Sequence, residues 1–189
     1  MMELASEAIA FAVKAHDGMR RKTSDVPYIL HPMEAAVIVG TMSSDQELIA
    51  AAALHDVVED TGVSIEEIEE KFGKRVRALV ASETEDKRPD LPSADTWRIR
   101  KEESLEVLKN AEDLGVLMVW LGDKLANMRS LYWDWRREGD AMWQRFNQKD
   151  PREQAWYYKS IVKYTERISY TPAWIEFKNL TDRLFGKDT

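Results

Sequence analysis

The sequence has no cysteine. That excludes disulfides and thiolate metal sites, and it agrees with a reducing compartment. Long hydrophobic runs are also missing. The longest apolar stretch, LGVLMVWLG from Leu114, is far short of the roughly 20 residues that a membrane helix needs. The first ten residues, MMELASEAIA, lack both a basic start and a long apolar segment, so no secretory signal is read there. A cytoplasmic protein without a membrane partner is therefore expected. Positive charge is scarce: 27 Lys and Arg stand against 34 Asp and Glu, for a formal net charge of -7. General nucleic-acid binders usually show a basic face, so nucleic acid is not expected as a partner. A small phosphorylated ligand held by a local basic patch remains compatible. Histidine is rare as well, with only His16, His31 and His55.

What is present reads as one all-α, compact, multi-helix domain over residues 1–189. The chain is 44% hydrophobic and 32% charged, enough to build a core. Apolar residues recur near the helical period from Glu3 to Asp17. The stretch DGMRRKTSDVPY then reads as a loop. His31-Pro32 predicts a helix start, with proline at the first helical position. Asp45 in SSD offers an N-cap for an alanine-rich helix predicted to run to about Thr61-Gly62. Ser64 in SIEE opens a short helix that ends at Phe72-Gly73, and KRVRALVASET is another. Residues 86–93, DKRPDLPS, read as a loop. Helical patterns follow over Ala94–Ala111, Leu114–Arg137, Ala141–Phe146, Arg152–Tyr170 and Pro172–Phe185. All seven tryptophans lie at or after Trp97, a bias that reads as core and inter-helix packing.

The chemistry concentrates in AALHDVVEDTG, from Ala52. The preceding LIAAAAL is made for burial, yet it runs into His55, Asp56, Glu59 and Asp60. Unpaired charges at such a boundary would cost several kcal/mol. The negative end of the helix dipole makes the carboxylates worse placed, not better. A bound cation resolves the conflict, and imidazole with carboxylate suits Mn2+, Fe2+ or Zn2+. Asp123 interrupts another strongly apolar helix, and Asn127 lies one turn on. Alone, Asp123 reads equally well as half of an ordinary salt bridge.

Together, AHDGMRRK, PYILHP, ALHDVVEDT, FGKRV and LGDKLANMRSL resemble the HD-domain phosphohydrolases, and among them the RelA/SpoT hydrolase domain. The resemblance covers about residues 5–131, and an aromatic-rich helical extension spans 132–189. It implies hydrolysis of the 3′-pyrophosphate of the guanosine alarmones (p)ppGpp. Because the chain ends at Thr189, a stand-alone small alarmone hydrolase is expected. By position, the resemblance implies one divalent ion, most readily Mn2+, held by His31, His55, Asp56 and Asp123. It implies a catalytic acidic pair in Glu59 and Asp60, and contacts to the substrate from Arg21, Lys22 and Asn127. His16 matches a family histidine that is not a ligand and is read as structural. The chain departs from the family pattern in three respects. The interval from Arg21-Lys22 to His31 is one residue longer, the family's lysine and alanine before the aspartate become Trp120 and Gly122, and Ala126 replaces a histidine. These departures keep two alternatives open: an HD phosphatase for another nucleotide or phosphorylated cofactor, and a nucleotide-sensing module with weak activity.

Overall fold

A computed structural model describes residues 2–21, 25–88 and 90–186. Its segments are α1 (Leu4–Ala15), α2 (Leu30–Met42), α3 (Gln46–Leu54), α4 (Val57–Asp60), α5 (Ile65–Phe72), α6 (Lys74–Glu83), α7 (Ser93–Asn110), α8 (Leu114–Glu138), α9 (Pro151–Tyr164) and α10 (Pro172–Phe185). Two 3-10 stretches, Gly139–Arg145 and Glu166–Ile168, flank α9. No β-strand occurs among the described residues.

The alanines of α3 explain its position. Ala50 to Ala53 are fully buried, because α1, α2, α6 and α8 all pack around this helix. Side chains that small let four neighbours approach one axis. Asp45 caps α3 as the sequence predicts, its carboxylate accepting from the Glu47 amide at 2.9 Å. Ser64 caps α5 in the same way through the Glu67 amide at 3.1 Å. α5 then stops at Gly73, whose φ of 89° favours glycine.

Three predicted spans are corrected. The alanine-rich helix does not run through to Thr61; it ends at Leu54, turns at His55 and Asp56, and restarts as the short α4. α9 stops at Tyr164 rather than Tyr170, where the Thr165 hydroxyl bonds back to the Ile161 carbonyl at 2.7 Å. The segment predicted as a helix over Ala141–Phe146 is 3-10 instead. α2 begins at Leu30, so His31 lies inside its first turn together with Pro32. Proline is tolerated there because an amide in the first turn has no helical partner to lose.

α2 and α8 cross closely at Gly122. A Cβ built there would stand 2.7 Å from Val39 Cγ2 and 3.0 Å from the Ala35 carbonyl oxygen. The absent side chain brings His31 on α2 up to Asp123 on α8. Gly122→Val should therefore wedge the two helices apart. Overpacking of this kind costs about 1–3 kcal/mol, and each kcal/mol lowers the melting temperature by about 2–4 °C at this size. Metal affinity should fall with it. A thermal melt and a metal titration both matching the unaltered protein would reject this account.

The tryptophan-rich half packs largely against itself. Trp97 meets Trp156 and Tyr157 edge-on, and Phe185 stacks between Trp143 and Tyr158 at 5.8 and 6.0 Å. Trp120 is buried, with its indole N–H donating to the Ser82 carbonyl at 3.2 Å. Trp133, by contrast, is exposed.

Candidate metal centre

His31, His55, Asp56 and Asp123 converge, although they come from three places in the fold. His31 is held in the first turn of α2. His55 and Asp56 occupy the break between α3 and α4. Asp123 projects from the middle of α8. His31 Nε2 lies 2.9 Å from Asp123 Oδ1, and His55 Nε2 lies 3.0 Å from Asp56 Oδ2. The crossed pairs, His31 to Asp56 and His55 to Asp123, are each 3.5 Å. One donor atom each from His31, His55 and Asp123 falls within 4.8 Å of the others. Donors about 2.0–2.2 Å from a common ion must be of this order apart.

The His55 tautomer makes the cluster diagnostic. Its Nδ1 lies 2.8 Å from the Ala52 carbonyl oxygen. A carbonyl only accepts, so Nδ1 carries the proton, and in the neutral ring Nε2 holds a lone pair. Nε2 is buried and makes no hydrogen bond of its own, while two carboxylates stand beside it. Left so, a lone pair faces negative oxygens. Burial pushes the His55 imidazole down, but Asp56 and Asp123 outweigh it and hold its pKa well above the ordinary value. The cluster thus favours a positive charge at Nε2, which a proton supplies in the bare site and a metal ion supplies in its place. A divalent ion fits that place, and the second-nitrogen bond to a backbone carbonyl is the usual support of a metal-bound histidine.

Neighbouring groups orient the carboxylates. Tyr28 donates its hydroxyl to Asp56 Oδ2 at 2.6 Å. Asn127 donates to Asp123 Oδ1 at 2.7 Å, and Lys124 pairs with Asp123 Oδ2. Burial opposes both charges, yet His55 holds Asp56 low, and Lys124 with His55 holds Asp123 well below the carboxylate range. Lys124 also faces Glu83 at 3.5 Å. Burial pushes the Glu83 carboxyl up to about 8.

Glu59 and Asp60 line the same cleft, about 190 Å3 in volume, as His31, Asp56 and Asp123. Glu59 accepts from the Glu85 amide at 3.2 Å, and Lys87 bridges the Glu59 carbonyl at 3.0 Å and Asp60 at 2.5 Å. Burial raises the Glu59 carboxyl above its ordinary value, against the pull of the Glu85 amide and Lys87. The longer loop before His31 folds back on itself: the Arg21 amide donates to Val26 and the Tyr28 amide to Met19, both at 2.9 Å. Arg21 thereby reaches the site, donating to Asn127 Oδ1 at 3.3 Å. Lys22, the other half of the basic pair, lies outside the described residues. His16 is buried with its Nδ1 3.4 Å from Met19 Sδ.

Sequence reasoning did not assign Tyr28, Glu83 or Lys87. Tyr28 and Lys87 sit in or beside the stretches already singled out, in PYILHP and DKRPDLPS. Glu83 had no signal, because a glutamate ending a short amphipathic helix normally faces water.

The HD domain family matches residues 8–151, and the chain belongs to it. Within that family it is similar to the SpoT and Rsh hydrolase domains. It is 38% identical over 136 residues to the guanosine-3′,5′-bis(diphosphate) 3′-pyrophosphohydrolase of Aquifex aeolicus, a match covering 72% of this chain and 19% of that one. The chain spans less than a fifth of the length of the curated relatives it matches. A metazoan ortholog of SpoT that hydrolyses ppGpp superposes with a TM-score of 0.77 at 25% identity, covering 99% of this chain and 98% of that structure. The crystal structure of lmo0812 from Listeria monocytogenes gives a TM-score of 0.72 at 30% identity, over 83% of this chain and 99% of that one.

Proposed function

We propose that this HD phosphohydrolase removes pyrophosphate from the 3′ position of (p)ppGpp, leaving GDP or GTP. The observation that carries the reading is the convergence of two imidazoles and two carboxylates, each of His31 and His55 Nε2 lying 2.9–3.5 Å from oxygens of both Asp56 and Asp123. His31, His55, Asp56 and Asp123 are the residues that would hold the ion, which we take to be Mn2+. When bound, such an ion polarises a phosphoryl oxygen and makes its water a better nucleophile near neutral pH.

The chain's own groups supply the rest. Water attacks the phosphorus attached to the ribose 3′ oxygen, and the bond from phosphorus to that oxygen breaks. The attacking water must lose a proton, and the leaving 3′ oxygen must gain one. Glu59 and Asp60 line the cleft for both transfers. Glu59, raised by burial, is suited to carry a proton to the leaving oxygen. Asp60, paired with Lys87, is suited to orient the water. Arg21 and Lys22 would neutralise the substrate's phosphates, and Asn127 would meet the nucleoside.

The test is a panel of nucleotides with Mn2+, read as phosphate against pyrophosphate release. Pyrophosphate and GDP from ppGpp are expected. Cleavage of another nucleotide while ppGpp stays intact would leave an HD phosphatase of different substrate. Binding without turnover would leave a sensing module. In the same assay Arg21→Ala should raise KM with little loss of bound metal. Charge-assisted bonds to phosphate contribute about 1.5–3 kcal/mol each, so KM should rise about tenfold or more. Unchanged kinetics would remove Arg21 from substrate binding. Arg129 offers no substitute, since Glu176 and Glu34 already hold its guanidinium at 2.7 and 3.0 Å.

A further inference from the structure

We propose that Asp134 reads the base of the nucleotide, accepting hydrogen bonds from two adjacent donors on its edge and so selecting guanine over adenine. The inference rests on the nucleotide reading above and concerns which nucleotide the site takes.

A second cavity, about 350 Å3 in volume, adjoins the polar cleft. The two share Arg21, Tyr28, Asp60 and Asn127 in their walls. Their characters differ. The metal-side cleft is walled by charged and polar groups, as phosphates require. The larger cavity is walled by Met19, Leu131, Phe146 and Tyr158, which suit a flat ring. A nucleoside in the larger cavity would lie with its phosphates toward His31 and Asp123.

Asp134 is the carboxylate of that larger cavity on α8. It follows Asp123 by eleven residues, about three turns at 3.6 residues per turn, so both face the same side of the helix. Asn127 and Ser130 lie between them on that face. The rise from Asp123 to Asp134 is about 16 Å at 1.5 Å per residue, so the base cavity lies along α8 from the metal-side cleft.

Asp134 is largely buried, and both of its oxygens are engaged. Its Oδ1 accepts from Arg137 at 2.6 Å, and its Oδ2 faces Arg145 at 3.1 Å. A carboxylate has about four lone-pair positions, so each oxygen can still accept from a ligand. Guanine presents a ring N–H and an amino group side by side on one edge. Adenine presents a bare ring nitrogen there, whose lone pair would meet the carboxylate. A site built to accept hydrogen bonds rejects an analogue lacking the donors.

The plain alternative is that Asp134 only ties the end of α8 to the 3-10 stretch through Arg145. Base preference separates the two, because a purely structural tie does not sense the ligand's edge. Calorimetric titration of the unaltered protein with GDP, IDP and ADP should give GDP the tightest binding, by about tenfold or more over ADP. IDP, which keeps the ring N–H and lacks the amino group, should fall between. Asp134→Asn should bring GDP and ADP within about threefold of each other. Equal affinities in the unaltered protein, or an unchanged preference in a folded Asp134→Asn, would overturn the assignment. Should that variant fail to fold, Asp134→Glu takes its place: it keeps the charge for Arg137 and Arg145 but displaces the acceptor pair. The GDP preference should then fall in the same way, and an unchanged preference overturns the assignment. Turnover of ppGpp is measured in parallel. A GDP preference without ppGpp cleavage keeps the base reading and removes the proposed reaction; cleavage without preference does the reverse.

Discussion

His55→Ala and Asp123→Ala should each lose bound metal and activity together. Each variant removes one donor from a cluster in which each imidazole Nε2 lies 2.9–3.5 Å from oxygens of both carboxylates. Without the ion, the phosphoryl group loses its main charge stabilisation, an effect of several kcal/mol. At 1.36 kcal/mol per tenfold, a loss of about a thousandfold or more in turnover follows. Asp123→Ala also leaves the buried Lys124 ammonium without its nearest ion-pair partner, with Glu83 at 3.5 Å remaining. A stability loss is therefore expected from Asp123→Ala over and above the loss of metal. The clean readout is the melting temperature with and without Mn2+. The unaltered protein should gain stability with the ion, because a ligand of the folded state alone shifts unfolding by mass action. Neither variant should. Full metal occupancy in both would dismiss the proposed ligand set.

Glu59→Gln should behave in the opposite way, keeping the ion and losing turnover. Glu59 shares the cleft with the metal cluster, its Oε2 accepting from the Glu85 amide and its Oε1 facing Lys87 at 3.4 Å. A glutamine carbonyl can keep that bond, so the loop after α6 should stay in place. What is lost is the proton. General acid-base groups contribute about 10²–10⁴-fold, and that range is the expected fall in kcat. Metal content and melting temperature should match the unaltered protein. If Glu59→Gln lost as much metal as Asp56→Ala, Glu59 would belong among the ligands and the acid role would pass to Asp60.

Much of this site was legible from residue types and their order. His55, Asp56 and Asp123 stood out because charged or polar groups interrupt apolar helices, and burial of charge demands a partner; His31 and the grouping of all four came from the likeness to the HD hydrolases. The caps at Asp45 and Ser64 were legible because capping depends on neighbours two or three residues away. The break at His55 was not. Its backbone stays in the right-handed helical region, with φ of -55° and ψ of -38°, so no glycine or proline marks it. The early end of α9 was missed for a similar reason: Thr165 is an ordinary residue for a helix, and only its hydroxyl bond to the Ile161 carbonyl marks the stop. The aromatic extension read as packing, and most of it is; that Tyr158 and Phe146 also wall a cavity beside Arg21 depends on how α9 and the 3-10 stretch lie against α8.

From the residues alone came the helical class, the donor types and the likeness to HD hydrolases, since periodicity, capping and motif chemistry are local properties of a chain. The encounter of His31 with Asp123 was decided only by packing: they lie far apart in sequence and meet at 2.9 Å where Gly122 lets α2 close on α8. The direction of the His55 lone pair was likewise set by the Ala52 carbonyl at the end of α3, which is free to accept because the helix stops there. Distances of this kind depend on the shape of the whole core, which no short stretch of sequence contains.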